Sequence, residues 1–254
     1  MRVLTTVPAV PAVPAVLACL LAASNLSAQT PDSTKPKADT TKLSFGLGLV
    51  TTGGNTSVTT FNFGNSFSYI SHPWVLSEAA SMIYGSTHDT VNNDQYHLLL
   101  RVDHGLHDGV SAYLYAAFDR DRFAGIVSRY QEAAGIAWKA LEGPIDMVTL
   151  EAGAVQTQQR DVGSGTTTSF TAARAAATYR HNFNKTAYAQ EAAEILPDLQ
   201  HSKNLRINSE TDLVAPLSTV FSIKVGYVVR FDNLPPPGFM KTDRILTTGI
   251  QITL

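Results

Sequence analysis

The sequence predicts an all-β protein, a closed antiparallel transmembrane β-barrel of about twelve strands following an N-terminal signal peptide. Three observations carry that reading. First, alternating runs recur along the chain. In VFSIKVGYVVRF, for example, Phe221, Ile223, Val225, Tyr227 and Val229 share one side, and Ser222, Lys224, Gly226 and Arg230 the other, with Val228 as the one apolar exception. Second, no amphipathic helix after Leu43 is available to cover the apolar faces, so lipid must do it. Third, the alternate register is too charged for an ordinary sandwich core, where isolated charges are costly, but it suits a wet or ion-paired lumen.

Composition narrows the alternatives. Apolar residues make up 44% of the 254 residues and charged residues 16%, which argues against a disordered chain. Apart from the N-terminus, no run of about 18 apolar residues occurs, so a polytopic helical membrane protein is excluded. A net charge of −2 gives no footprint for nucleic acid, and none is expected as a partner.

The opening stretch MRVLTTVPAVPAVPAVLACLLAASNLSAQT has Arg2, no acidic residue, an apolar segment densest from Val13 to Ala23, and small residues at Ser27 and Ala28. Residues 1–28 read as a signal peptide, although the Pro-Ala-Val repeat and Leu26 are atypical. Cys19 leaves with it, so the mature chain has neither a disulfide nor a thiolate metal site. Residues 29–42, QTPDSTKPKADTTK in the main, are a polar lead-in with two prolines, and 43–254 form the barrel.

Each strand follows from its alternation. Strand one, LSFGLGLV, sets Leu43, Phe45, Leu47 and Leu49 against Ser44, Gly46 and Gly48, and TTGGNTS ends it. Strand two, VTTFNFGNSFSYI, sets Phe61, Phe63, Phe67 and Tyr69 against Asn62, Gly64, Ser66 and Ser68. SHP leads to strand three, from about Trp74 to Gly85. Strand four, NDQYHLLLRVDHGL, opposes Tyr96, Leu98, Leu100, Val102 and Leu106 to His97, Arg101, Asp103 and Gly105. VSAYLYAAFDR and SRYQEAAGIAWKA meet at FAGI as strands five and six, and EGPID turns into strand seven, MVTLEAGAVQTQ. After QRDVGSGTTT, strand eight (SFTAARAAATYRHNF) returns through NK into strand nine (TAYAQEAAEIL). PDLQHS leads to strand ten, NLRINSETDLV, and APLS to strand eleven; DNLPPPGF precedes strand twelve, RILTTGIQITL.

Connections after even strands read as short, whereas those after strands one, three, seven and eleven read as longer and rich in Gly, Asn, Asp or Pro, the asymmetry of periplasmic turns and external loops. Trp74 and Trp138 then fall at the periplasmic rim as an aromatic girdle. The expected lumen lining is Arg101, Asp103, Asp119, Glu151, Arg174, Arg206, Glu210, Asp212, Lys224 and Arg230. Glu132 falls on the apolar side, and the patterns of strands three and nine let Glu78, Glu191 and Glu194 face either way.

GLGLVTTGGNTSVTTFNFG, RVDHGL with YLYAAFDRDRF and AAGIAW, and the ending KVGYVVRFDNLPPPGFMKTDRILTTGIQITL together resemble the bacterial outer-membrane family of domain of unknown function 481 (DUF481), many of whose members carry a "salt-induced outer membrane protein" label. The resemblance covers about Leu43 to Leu254 and implies an outer-membrane β-barrel reached through the signal peptide. It brings no reaction.

No G-x-S-x-G, H-E-x-x-H or calcium-loop motif is present, so no catalytic residue, metal ligand or cofactor is expected. His97 reads as a polar lumen residue and Asp119 to Arg122 (DRDR) as a self-neutralising rim run. Expected partners are outer-membrane lipid, the barrel-assembly machinery during insertion, and small polar solutes or ions. Three functions stand open: a narrow porin-like channel with a charged lumen, a closed structural or envelope-stress barrel, and a rim-located enzyme acting on lipid or peptide.

Overall fold

The structure is a computed structural model describing residues 39–52, 58–88, 90–163 and 166–253. The signal peptide and most of the lead-in lie outside these residues, as does Leu254. Twelve strands follow one another: β1 (Thr40–Thr52), β2 (Val58–Ser71), β3 (Trp74–Thr87), β4 (Thr90–His107), β5 (Val110–Asp121), β6 (Ile126–Glu142), β7 (Asp146–Asp161), β8 (Thr167–Asn182), β9 (Tyr188–Pro197), β10 (Leu205–Pro216), β11 (Phe221–Asp232) and β12 (Thr242–Thr253). Each pairs antiparallel with its sequence neighbours, and β1 pairs with β12, closing the barrel.

Strand β1 begins at Thr40, inside the stretch expected as lead-in, because Thr40 to Lys42 continue the ladder opposite Ile70 to Ser68 of β2. The β3–β4 connection, expected to be long, is only 88–89. The segment THDTVNN reads as turn chemistry, but its Thr90 and Val91 already pair with Thr87 and Ser86. Elsewhere the side asymmetry holds only in part, since the β7–β8 connection, also expected to be long, spans 162–166 and is no longer than the β8–β9 connection at 183–187. Even-numbered strands end in tight reversals such as 72–73 and 108–109, whereas β11 and β12 are separated by 233–241.

Side chains that mimic backbone acceptors set several turns. Asn184 Oδ1 accepts from the amides of Thr186 and Ala187 at 2.9 and 2.8 Å. Asp121 Oδ1 accepts from Phe123 and Ala124 at 3.2 and 2.9 Å, and Asp198 Oδ1 from Gln200 and His201 at 2.7 and 3.1 Å. The loops thus absorb backbone groups that no strand can reach.

The register assigns the two faces unambiguously. Leu47, Leu76, Leu100, Leu114, Leu150 and Leu213 all point outward and are at least 40% exposed, forming a greasy belt around the wall. Inside, Tyr113, Ala133, Ala137, Val155, Ala172 and Leu196 pack into a small apolar cluster against the β5–β9 wall. Trp74 and Trp138 are both outward, at the end of the barrel that holds the tight turns; Trp74 packs against His104 with ring centroids 4.3 Å apart and the ring planes tilted by 41°. An apolar exterior with a charged interior is the inverse of a water-soluble protein, and a bilayer is the medium that satisfies it.

Placing a charge in the belt therefore costs more than placing it in the lumen. Leu100→Arg is expected to lower unfolding stability in lipid vesicles by about 2–4 kcal/mol. Ser81→Arg, on the inward register of the neighbouring strand, costs less; urea titration of the two refolded variants followed by tryptophan fluorescence compares them directly.

Candidate functional site: the charged lumen

The lumen is asymmetric. From β12 through β1 and β2 the inward positions are mainly small or uncharged, with Thr247, Gly249, Gly46, Gly48, Asn62, Gly64 and Ser66 in that register. From β4 to β11 they are mostly large or ionic. A cavity of about 500 Å³ lies between these two walls, lined by Asn62, Ser81 and Gly249 on one side and Arg101, Glu151 and Arg174 on the other.

One charge cluster is built on a bed of glycine. Asp103, Tyr113, Gly135, Gly153 and Arg174 lie opposite one another on consecutive strands, all facing inward. Without side chains at Gly135 and Gly153, the Tyr113 phenol lies flat across both strands; a Cβ would meet its hydroxyl oxygen at 2.5 Å from the first and 2.7 Å from the second. The buried ring then serves as a platform. The Arg101 guanidinium sits over it at 4.4 Å, and Arg174 Nη1 donates to its hydroxyl at 2.9 Å.

Period-two spacing puts Arg101 and Asp103 on the same face, where they form a bidentate pair at 2.8 and 2.7 Å. Arg101 Nη1 also donates to Glu151 at 2.8 Å, and Glu151 accepts from Arg174 Nη1 at 2.5 Å. Arg174 Nε completes the chain to Glu194 at 2.9 Å, and Glu194 accepts from Asn208 at 2.7 Å. Glu151 is thus held between two guanidinium groups. Such a network orients its members, because two guanidinium groups are shared among three carboxylates and every carboxylate oxygen accepts at least one hydrogen bond.

A second group of charges lies on β10 and β11 and the strands they face. Lys224 Nζ pairs with Asp212 at 2.8 Å and Glu210 at 3.8 Å, and Arg230 with Asp121 at 3.7 Å. Arg206 is buried and lies over the Phe170 ring at 4.6 Å, donating to Thr157 Oγ1 at 3.2 Å; among the described residues no carboxylate lies within ion-pair reach of it. Arg129 Nε donates to Gln159 at 2.7 Å, and its guanidinium lies 4.0 Å from Asp232.

All ten residues expected in the lumen occupy the inward register, but the pairing differs from a simple row of opposed charges. His97 takes Asp119 as partner at 2.7 Å, leaving Asp103 to Arg101. The DRDR run does not neutralise itself. Its alternate residues point to opposite faces, so Asp119 and Asp121 meet His97 and Arg230 inside, while Arg120 reaches Asp94 at 3.1 Å on the outer register. Of the three ambiguous glutamates only Glu194 faces inward, and Glu132 lies on the apolar side where its strand pattern puts it. Glu78 pairs with Phe67 and Leu100, Glu132 with Ala116 and Gln156, and Glu191 with Tyr179 and Thr211, all on the outer register. Glu78 accepts from Asn65 at 2.7 Å, and Glu191 from Ser209 at 2.6 Å and from Thr211.

Sequence reasoning missed the roles of Tyr113 and Glu194. The signal for the first was two glycines, Gly135 and Gly153, in the charged register of adjacent strands. Glu194 was obscured because AQEAAEIL alternates only weakly. Among the described residues, no group of three or more His, Cys, Asp or Glu is arranged to hold a metal ion.

Two changes test the platform. Gly153→Ala should destabilise the refolded barrel by about 1–3 kcal/mol, since the methyl group meets both the Ala134 carbonyl oxygen and the Tyr113 hydroxyl. Glu151→Gln removes the carboxylate shared by Arg101 and Arg174 and should cost about 3 kcal/mol or more. Denaturant midpoints in vesicles read both; loss of neither midpoint would mean that the glycine bed and the bridging carboxylate do not support the wall.

Comparison with known proteins gives a fold-level likeness and one family match. Solved structures that resemble the chain include a NanC porin, 11% identical with a TM-score of 0.46 over 84% of this chain and 97% of the porin. The translocator domain of the autotransporter NalP from Neisseria meningitidis is also 11% identical, with a TM-score of 0.43 over 85% of this chain and 87% of that domain. An anion-selective porin from Comamonas acidovorans is 8% identical, with a TM-score of 0.40 over 85% of this chain and 99% of the porin. No curated protein matches the sequence. The model of the family described as "Protein of unknown function, DUF481" matches residues 45–253, and the chain belongs to that family.

Proposed function

We propose that this protein is a narrow, passive channel of the bacterial outer membrane, conducting small polar solutes or ions through its charged lumen and carrying out no catalysis. The observation that carries the reading is the cavity of about 500 Å³ running between the ionic β4–β11 wall and the small-residue wall around β1. Eight of the ten ionisable residues expected in the lumen line that cavity, and ion pairing of most of them, Arg206 excepted, lets a hydrated path exist beside them. The apolar belt supports placement in a bilayer, and the closed strand order supports an outer membrane, where barrels are the spanning architecture.

A second reading has its own support. The packed Tyr113–Val155–Leu196 cluster and the Arg101–Glu151–Arg174–Glu194 network narrow the interior from one side, as a structural or stress-related barrel with a sealed lumen would require. The two readings differ in one measurable respect. Purified, refolded protein in planar bilayers should give discrete conductance steps. Arg206→Glu and Lys224→Glu, each adding negative charge to a lumen that already holds Glu194, Glu210 and Asp212, should move the reversal potential in a salt gradient toward cations. Absence of steps from correctly folded protein would contradict the channel and favour the sealed barrel.

A further inference from the structure

The barrel closes through an unusually short seam. Strands β1 and β2 are matched over thirteen pairs and β11 and β12 over eleven, but among the described residues β1 and β12 share four: Ser44–Thr253, Phe45–Ile252, Gly46–Gln251 and Leu47–Ile250. The ladder stops where two glycines meet. A methyl group on Gly48 would overlap the Thr248 carbonyl oxygen, and one on Gly249 would lie 2.5 Å from that of Leu47. The two backbones are still in contact at this point, but no further ladder pair follows it. Beyond it, Gly48 to Thr52 and Thr242 to Thr248 each keep a strand on one side only.

Side-chain exposure gives an independent sign of the same gap. Leu49 and Leu246, outward residues of the two separated edges, are 67% and 68% exposed, against 49% for Leu47 just inside the paired seam. In hydrocarbon an open edge is untenable, because its amide and carbonyl groups have no water to turn to. Something with both polar and apolar character has to lie there.

The chamber behind the seam has that same dual character. Val228 and Ile245 face each other on the inward register of β11 and β12, and Ile83 faces inward beyond β2, all three lining the cavity. These apolar residues are out of place in a lumen whose opposite wall carries Arg101, Glu151 and Arg174. We propose that the β1–β12 seam is a lateral portal through which a single-chain amphiphile enters the barrel from the bilayer. Its acyl chain lies between Leu49 and Leu246 and along Val228 and Ile245, and its polar head group reaches the ionic wall while occupying the free edge groups. The proposal rests on the barrel's residence in a membrane and not on ion conduction, so either can fail without the other.

The test uses an indole that only a laterally entering chain can reach. In a Cys19→Ala, Trp74→Phe, Trp138→Phe background, Val228→Trp supplies a single lumen-facing indole, and Leu49→Cys with Leu246→Cys allows the seam to be bridged by a reducible bifunctional thiol reagent. Protein refolded into phosphatidylcholine vesicles, with folding checked by heat-modifiable gel mobility, is titrated with 9,10-dibromostearic acid. The expected result is loss of indole emission that bridging prevents and reduction of the bridge restores, while quenching by aqueous iodide is unchanged. Insensitivity to the brominated acid before bridging, or equal quenching after it, would overturn the portal. Ile245→Trp in place of Val228→Trp supplies the same readout should the first variant not fold. Conductance of the same preparation reports separately on the channel.

Discussion

A strand that crosses hydrocarbon has nowhere but its neighbours to place its backbone hydrogen bonds, and this constraint organises the whole molecule. It demands that strands pair on both edges, hence closure of β1 onto β12. Closure in turn creates an inside and an outside, and the period of two along each strand sorts every side chain to one or the other. The belt of leucines and the charged lumen are thus two results of one geometric requirement.

Inside, the constraint changes sign. Charges are tolerated, but the limited space makes them share partners. Glu151 serves two arginines, Arg174 serves two carboxylates, and the Tyr113 ring is approached by both guanidinium groups. Glycines at 135 and 153 make this possible by leaving floor space for the phenol. The opposite wall is built from small residues, and there the interior stays open. The proposed function rests on that division: a fixed charge lining on one side and open space on the other.

Much of this was legible in the sequence, for a physical reason. Alternation depends only on a residue's neighbours in its own strand, so Arg101, Lys224 or Arg230 can be assigned to the lumen without knowing what lies across from them. Partner choice depends on how strands slide against each other, which no single strand encodes. That is why Asp119 rather than Asp103 meets His97, and why DRDR is split between two faces. Glu132 sits where alternation places it, on the outer register, whereas Glu78 and Glu191 belong to strands whose weak alternation left the face open, and pairing across the sheet puts both outside. Neighbouring polar groups moderate the cost for Glu78 and Glu191. The short seam was invisible in the sequence because it is a property of the first and last strands together.

The central claim is that one register of every strand faces lipid and the other a polar interior. Nitroxide labels placed one at a time from His97 to Asp103 on β4, in protein refolded into vesicles, test it directly by electron paramagnetic resonance. The account predicts a two-residue alternation, with oxygen accessibility high at Leu98, Leu100 and Val102 and accessibility to a polar nickel chelate favoured at His97, Arg101 and Asp103. Labels at Leu98, Leu100 and Val102 that report water or a packed protein core in place of lipid would contradict it.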